Sequence, residues 1–200
     1  SSVTTATTAL VQDVLRRVWG KDDSLWASGD DKPSDRLGWL TTAGASLDSL
    51  DEVTAFVQGL RDEGFTDAAL LGMGGSSLAP ELFSRVFGWA GGAEGTGAAS
   101  PEGLELRVLD STHPDAVRGF RSWASEQRTL FMVSSKSGTT TEPLSFYYYF
   151  FERAKQNGAQ FVAITDPGSF LESLAKEKGF RKIFLNPADI GGRFSALSYF

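Results

Sequence analysis

The stretch Ser134-Ser135-Lys136-Ser137-Gly138-Thr139-Thr140-Thr141 follows an apolar run, Thr129-Leu130-Phe131-Met132-Val133, and precedes Pro143 and an aromatic-rich segment at 144–157. Five apolar or β-branched residues in a row read as a buried strand, and the segment beyond Pro143 reads as a helix. Six of the eight residues between them carry hydroxyls, and the other two are a lysine and a glycine. A turn with a good helix cap needs one or two such residues. Six of them, with free backbone N–H groups and one ammonium at a helix N-terminus, make a site for an anion such as a phosphate group.

The same strand–loop–helix pattern recurs to either side. Ala68-Ala69-Leu70-Leu71 is a short apolar strand, followed by Gly72-Met73-Gly74-Gly75-Ser76-Ser77 and a helix over 78–88. Further strands are expected at 104–109, 160–165 and 182–185, with helices at 114–124 and 169–178. Strands that alternate with helices imply βαβ units and a mainly parallel sheet. The expected fold is a three-layer αβα sandwich around a five-stranded, doubly wound parallel sheet. Residues 88–103 hold six glycines and read as a flexible connection.

Upstream lies a helical arm. Leu10, Val11, Val14, Leu15, Val18 and Trp19 recur at helical spacing, as do Leu47, Leu50, Val53, Val57 and Leu60. Ser49 and Glu52 fit a capping box at the start of the second helix, and Gly64 fits its stop. Trp19, Trp26 and Trp39 are expected to clamp the arm onto a neighbouring surface. The expected division is an N-terminal helical arm over 1–45 and an α/β domain over 46–200. The chain starts Ser1-Ser2 and stops at Phe200; both ends read as cuts in a longer protein, which would leave an exposed apolar surface.

Composition narrows the partners. The net charge is −6 and no basic cluster is visible, which argues against nucleic acid. An acidic chain must hold an anionic ligand with local dipoles rather than with its overall field. None of the 200 residues is cysteine, which fits a reducing compartment, and no run reaches membrane-spanning length. A cytoplasmic location is expected, with no membrane partner.

In a sheet of order 2-1-3-4-5, strands one and three are neighbours, and the crevice where their following helices part is the place where ligands bind. The glycine-rich loop after strand one and the hydroxyl-rich loop after strand three would then lie side by side. A dinucleotide fingerprint does not account for the first loop. Gly72 and Gly74 begin one, but Ser77 occupies the third glycine position, and Asp110 comes far too late for the ribose carboxylate. No phosphate-binding loop of the nucleotide hydrolases is present either.

Three motifs occur in an order that resembles the phosphoglucose isomerases: Gly72-Met-Gly-Gly-Ser-Ser-Leu-Ala-Pro80, Ser135-Lys-Ser-Gly-Thr-Thr-Thr-Glu142 and Ile190-Gly-Gly-Arg-Phe-Ser195. Arg17-Val-Trp-Gly-Lys-Asp22 and Arg36-Leu-Gly-Trp-Leu40 further resemble the isomerase half of bifunctional transaldolase/phosphoglucose isomerase fusions. The resemblance implies that 46–200 is the first sugar-isomerase (SIS) domain, flavodoxin-like in fold. It implies an aldose–ketose isomerisation of glucose 6-phosphate to fructose 6-phosphate through an enediolate, no cofactor, no metal, and a homodimeric parent. Gly75 and Ser76 would line the sugar-phosphate site, and Ser135, Lys136, Ser137, Thr139 and Thr140 would hold the phosphate. Gly192 would let the backbone approach the sugar, and Arg193 would stabilise the enediolate at the reacting carbons. Where the family often has Thr and Phe, this chain has Ser137 and Gly138, so a more flexible loop is expected.

The resemblance puts the carboxylate base, the ring-opening histidine and a further lysine downstream of residue 200, so this chain alone would be inactive. Glu142 is better read as the end of a Thr139–Glu142 capping box that orients the loop than as a base. His113, the single histidine, reads as a loop residue capping the next helix. The run Tyr147-Tyr-Tyr-Phe-Phe151 reads as helix core. A non-catalytic phosphosugar-sensing regulatory domain is the alternative reading.

Overall fold

The computed structural model describes residues 2–26, 33–87, 104–125 and 128–200. In chain order these form α1 (Ser2–Trp19), α2 (Thr42–Asp62), β1 (Asp67–Gly72), α3 (Leu78–Phe87), β2 (Glu105–Leu109), α4 (Pro114–Trp123), β3 (Thr129–Ser134), α5 (Thr141–Arg153), β4 (Phe161–Thr165), α6 (Phe170–Glu177) and β5 (Lys182–Leu185). A 3-10 turn, Gly192–Leu197, follows. The glycine-rich connection expected over 88–103 lies outside the described residues.

All five strands pair in parallel, in the order β2-β1-β3-β4-β5. Their side chains alternate between two apolar layers, as expected for a sheet covered on both faces. Phe131 and Val133, with Phe161 and Ala163, face Phe120 of α4, Phe146, Tyr147, Phe150 and Phe151 of α5, and Leu171 and Leu174 of α6. Leu130, Val162 and Ile164 face Leu60 of α2 and Phe200. The step from β1 to β2 runs opposite to the later steps, so the right-handed crossover rule sends α3 to the other face from α4, α5 and α6. The expected α/β fold and strand order are those observed.

Several local expectations give way. Helix α2 begins at Thr42, so Ser49 and Glu52 sit inside it rather than at its start. Ser49 Oγ donates to the Ser46 carbonyl, and Glu52 pairs with Lys182 at the edge strand. The chain enters the helix earlier because the Thr41 and Thr42 hydroxyls both donate to the Gly38 carbonyl. Gly64 ends this helical segment at φ +88°, as expected. Helix α5 starts at Thr141, with Pro143 in the first turn, where its missing N–H costs no helical bond. It ends at Arg153 because Lys155 and Gln156 take φ +55° and +58°.

The two N-terminal stripes are not core faces within this chain. Leu10, Val11 and Leu15 of α1, and Leu47 and Leu50 of α2, are more than half exposed. Leu60 is the buried member of the second stripe. Of the three tryptophans, Trp39 stacks on Phe194 at 5.4 Å, whereas Trp19 and Trp26 are exposed.

Tyr147 sits at the centre of the aromatic layer, fully buried and 5.0 Å from the Phe151 ring, 5.5 Å from Phe180 and 5.8 Å from Phe161. Its hydroxyl has no hydrogen-bond partner among the described residues. Burial pushes its phenol up to about 12. Tyr147→Phe is expected to leave stability unchanged or raise it by about 1 kcal/mol at neutral pH. The contribution of the protonated phenol is fully present below its ordinary value of 10.0 and is lost as pH climbs toward about 12. Denaturant midpoints above pH ~10 should therefore fall for the native chain and fall less for the variant. A large loss of stability in the variant at neutral pH would mean that the hydroxyl is satisfied.

Candidate functional site

Pairing of β1 with β3 sets Gly72 directly beside Ser134, so the loops that leave these two strands start from adjacent points on the sheet. Between them lies a cavity of about 460 Å³ lined by Gly75, Ser76, Lys136, Ser137, Thr140, Asp166, Gly192 and Ser195. Four chain segments supply these residues, all from the carboxyl ends of strands or from the turn after β5. Two other hollows, lined by Glu63 and Arg181 and by Glu81 and Asp110, lie elsewhere and lack this convergence of hydroxyls and glycines.

The hydroxyl-rich loop is held from beneath. Ser135 is buried, and its Oγ accepts from the Gly138 N–H at 3.2 Å and donates to Thr140 Oγ1 at 3.1 Å. Thr165 at the end of β4 donates to the Ser135 carbonyl at 2.7 Å. The Asp166 N–H donates to the Lys136 carbonyl at 3.2 Å. Ser137 and Thr139 stand exposed on the outer edge, where Thr139 N–H and Oγ1 both donate to Ser137 Oγ. Gly138 has φ +70°, and a Cβ there would stand 2.4 Å from the Leu171 nitrogen of α6. The loop is thus pinned against α6, not loosened by its glycine as expected. The left-handed backbone and the contact both exclude a side chain.

Lys136 is already engaged. Its ammonium pairs with Asp166 and donates to the Ala188 carbonyl at 2.9 Å. The other Asp166 oxygen is buried without a partner among the described residues. Backbone approach on the opposite wall depends on small residues. A Cβ on Gly75 would fall 2.7 Å from the Gly192 carbonyl, and one on Gly191 would fall 3.1 Å from the Lys136 side chain. Gly192 itself has φ +58°.

Helix α5 opens onto this cavity with Thr140 at its N-cap, but no side chain caps it. The Thr139–Glu142 capping box is therefore absent: the helix starts one residue too late for it, and the Thr140 hydroxyl is turned to Ser135. An uncapped helix N-terminus presents N–H groups and the positive end of the helix dipole, which favour a bound anion.

Of the residues picked out from sequence, Gly75, Ser76, Lys136, Ser137, Thr140 and Gly192 come together on the cavity wall. Ser135 lies beneath it, Thr139 on its outer edge, and Glu142 is half-buried in the first turn of α5. Arg193 is exposed in the turn after Gly192, outside the lining. Asp166 and Ser195 were missed. Asp166 directly follows an apolar strand next to β3, which is the signal that could have found it. His113 lies away from the cavity and caps α4, its Nδ1 accepting from the Asp115 N–H at 3.2 Å.

Fold and site together define a doubly wound α/β protein with a polar, anion-suited cavity at its switch point. No family model matches the chain. It is related over most of its length to the glucose-6-phosphate isomerases: it is 30% identical to that of Campylobacter jejuni over 174 residues, 84% of this chain and 40% of that one. The isomerase of Thermus thermophilus is 28% identical over 84% of this chain and 38% of its own length. A crystal structure of a hypothetical protein from Thermus thermophilus superposes with a TM-score of 0.71 at 26% identity, covering 98% of this chain and 43% of that one. A Chlamydia trachomatis glucose-6-phosphate isomerase, at 24% identity and TM-score 0.64 over 91% of this chain and 32% of its own, shares the fold. The chain spans about two fifths of the length of these curated relatives.

Gly138→Ala is expected to cost about 2–4 kcal/mol, from the left-handed backbone and the clash with Leu171 together. Urea denaturation measures it. An unchanged midpoint would mean that neither constraint operates.

Proposed function

We propose that this chain is the phosphosugar-binding part of a glucose-6-phosphate isomerase, with an arm over 1–45 and an SIS domain over 46–200. The observation that carries this reading is the convergence of Gly75, Ser76, Lys136, Ser137, Thr140 and Gly192 on one cavity beside the uncapped N-terminus of α5. The names of the relatives support the same reading.

In the proposed reaction the phosphate docks at the α5 end of the cavity. The hydroxyls of Ser137, Thr139 and Thr140 and the Lys136 ammonium hold it, while Ser135 braces the loop. Gly75, Ser76 and Gly192 allow the sugar close to the backbone. A base shuttles a proton between the first two carbons, and the Arg193 guanidinium stabilises the enediolate. Among the described residues, the one carboxylate on the lining, Asp166, is taken up by Lys136. We therefore place the base in polypeptide outside these 200 residues, and expect no isomerase turnover from this chain alone.

We further propose a cytoplasmic, homodimeric parent enzyme of sugar-phosphate metabolism. Among the described residues no helix is long and apolar enough to cross a membrane. The exposed apolar faces of α1 and α2 suit a larger assembly. The resemblance to a transaldolase fusion belongs to the same proposal.

Calorimetric titration with glucose 6-phosphate or 6-phosphogluconate should show binding that Lys136→Ala and Thr140→Ala each weaken by about tenfold, the loss of one charge-assisted hydrogen bond. Equal affinity in all three proteins would refute the assignment of the loop. Normal turnover by the chain in a coupled assay would refute the placement of the base.

A further inference from the structure

Among the described residues, the cavity lining carries two charged residues, Lys136 and Asp166, and they neutralise each other. A phosphate dianion entering this space meets hydroxyls and N–H groups but no uncommitted cation on the wall. A second cation stands at the rim. Arg36 lies at the end of a short 3-10 turn, Pro33–Arg36, and is exposed. A Cβ built on Gly192 would stand 3.8 Å from its Nη1. The Arg36 guanidinium has no hydrogen bond or ion pair among the described residues. By contrast, Arg17, Arg85, Arg107, Arg118 and Arg181 are all paired.

The segment bearing Arg36 is fixed to the loop that forms the cavity wall. The Gly38 N–H donates to the Asp189 carbonyl at 3.0 Å. Gly38 approaches so closely that a Cβ there would fall 2.2 Å from Asp189 Oδ1. Lys21 Nζ pairs with Asp189 Oδ2 at 2.7 Å. Trp39 stacks on Phe194 with the rings nearly parallel, and Leu37, next to Gly38 in sequence, is buried. Residues 38 and 39 are therefore tied to 189–194 by a hydrogen bond and a ring stack, Lys21 adds an ion pair to the same loop, and Arg36 lies next to Gly192. Because Gly192 has no side chain, nothing on it screens the guanidinium from the cavity mouth.

We infer that Arg36 is a substrate-binding residue of the cavity: its guanidinium supplies the positive charge for an anionic sugar phosphate that Lys136, held by Asp166, supplies only in part. This rests on the phosphosugar reading above. A planar guanidinium suits phosphate oxygens, and its long stem lets it swing over the mouth once the ligand is seated. The arm thereby contributes to the site as well as supporting its wall.

The test is calorimetric titration of glucose 6-phosphate into the full chain and into Arg36→Ala and Arg36→Lys, at low and at high ionic strength. Arg36→Ala should bind about tenfold more weakly at low salt, with an unchanged melting temperature. Arg36→Lys should recover much of the loss. The gap between the native chain and Arg36→Ala should close near 1 M salt, where the screening length falls to about 3 Å. If the native chain binds and Arg36→Ala binds equally well at low salt, the assignment of Arg36 is overturned while the phosphosugar reading stands. A salt-independent loss accompanied by a lower melting temperature also overturns it, by making Arg36 a structural residue. If the native chain does not bind glucose 6-phosphate at all, the phosphosugar reading fails and this inference with it.

Discussion

The parallel pairing of β1 with β3, which puts Gly72 beside Ser134, is the constraint on which the rest depends. Parallel strands end on the same side of a sheet, and here the chain departs in different directions from two neighbouring ends. The result is a crevice that no packing of side chains has to create. The sheet can afford to be apolar on both faces because its polar business is confined to that one edge. Ser135, Thr165 and the Asp166 backbone then tie the loops of β3 and β4 together, so the hydroxyl-rich loop rests on a rigid floor.

Charge at this edge is arranged sparingly. A lone ammonium on the wall of a partly buried cavity would be poorly solvated, and Asp166 together with the Ala188 carbonyl keeps it in place. That arrangement fixes the position of Lys136 and lowers its pull on a distant anion. On the proposed reading, affinity would come from many modest contributions: hydroxyls, the open end of α5, and the Arg36 guanidinium at the rim. Such a site discriminates by geometry more than by field, which suits a chain of net negative charge.

Much of this was readable from residue order. The strands were legible because each apolar run is short and bounded by glycine, proline or hydroxyl residues, and the loops at the switch point because their composition departs so far from an ordinary turn. Side-chain partnerships were not legible. Nothing in the order of residues says that Lys136 meets Asp166 thirty positions away, since that depends on β4 lying beside β3. The capping boxes at Ser49 and Thr139 failed for a related reason: a four-residue pattern is common, and the Thr41, Thr42 and Thr140 hydroxyls found other partners. Gly138 misled because a glycine reads as freedom in sequence, whereas here its bare Cα is what lets α6 press against the loop. The stripes on α1 and α2 showed amphipathic helices correctly but could not show whether anything in this chain covers them.

The bonds from Lys21 and Gly38 to Asp189 span some 150 residues or more of chain. Contacts of such long range form late, because ordering the intervening chain must come before they bring any gain. During synthesis the arm leaves the ribosome before the sheet, yet it can take its place only after β5 and the loop beyond it have emerged. The sheet can assemble strand by strand, but the wall bearing Gly192 closes at the end. Closure of the cavity is thus coupled to late long-range contacts: a chain made only as far as β4 would have the hydroxyl-rich loop without the wall that faces it.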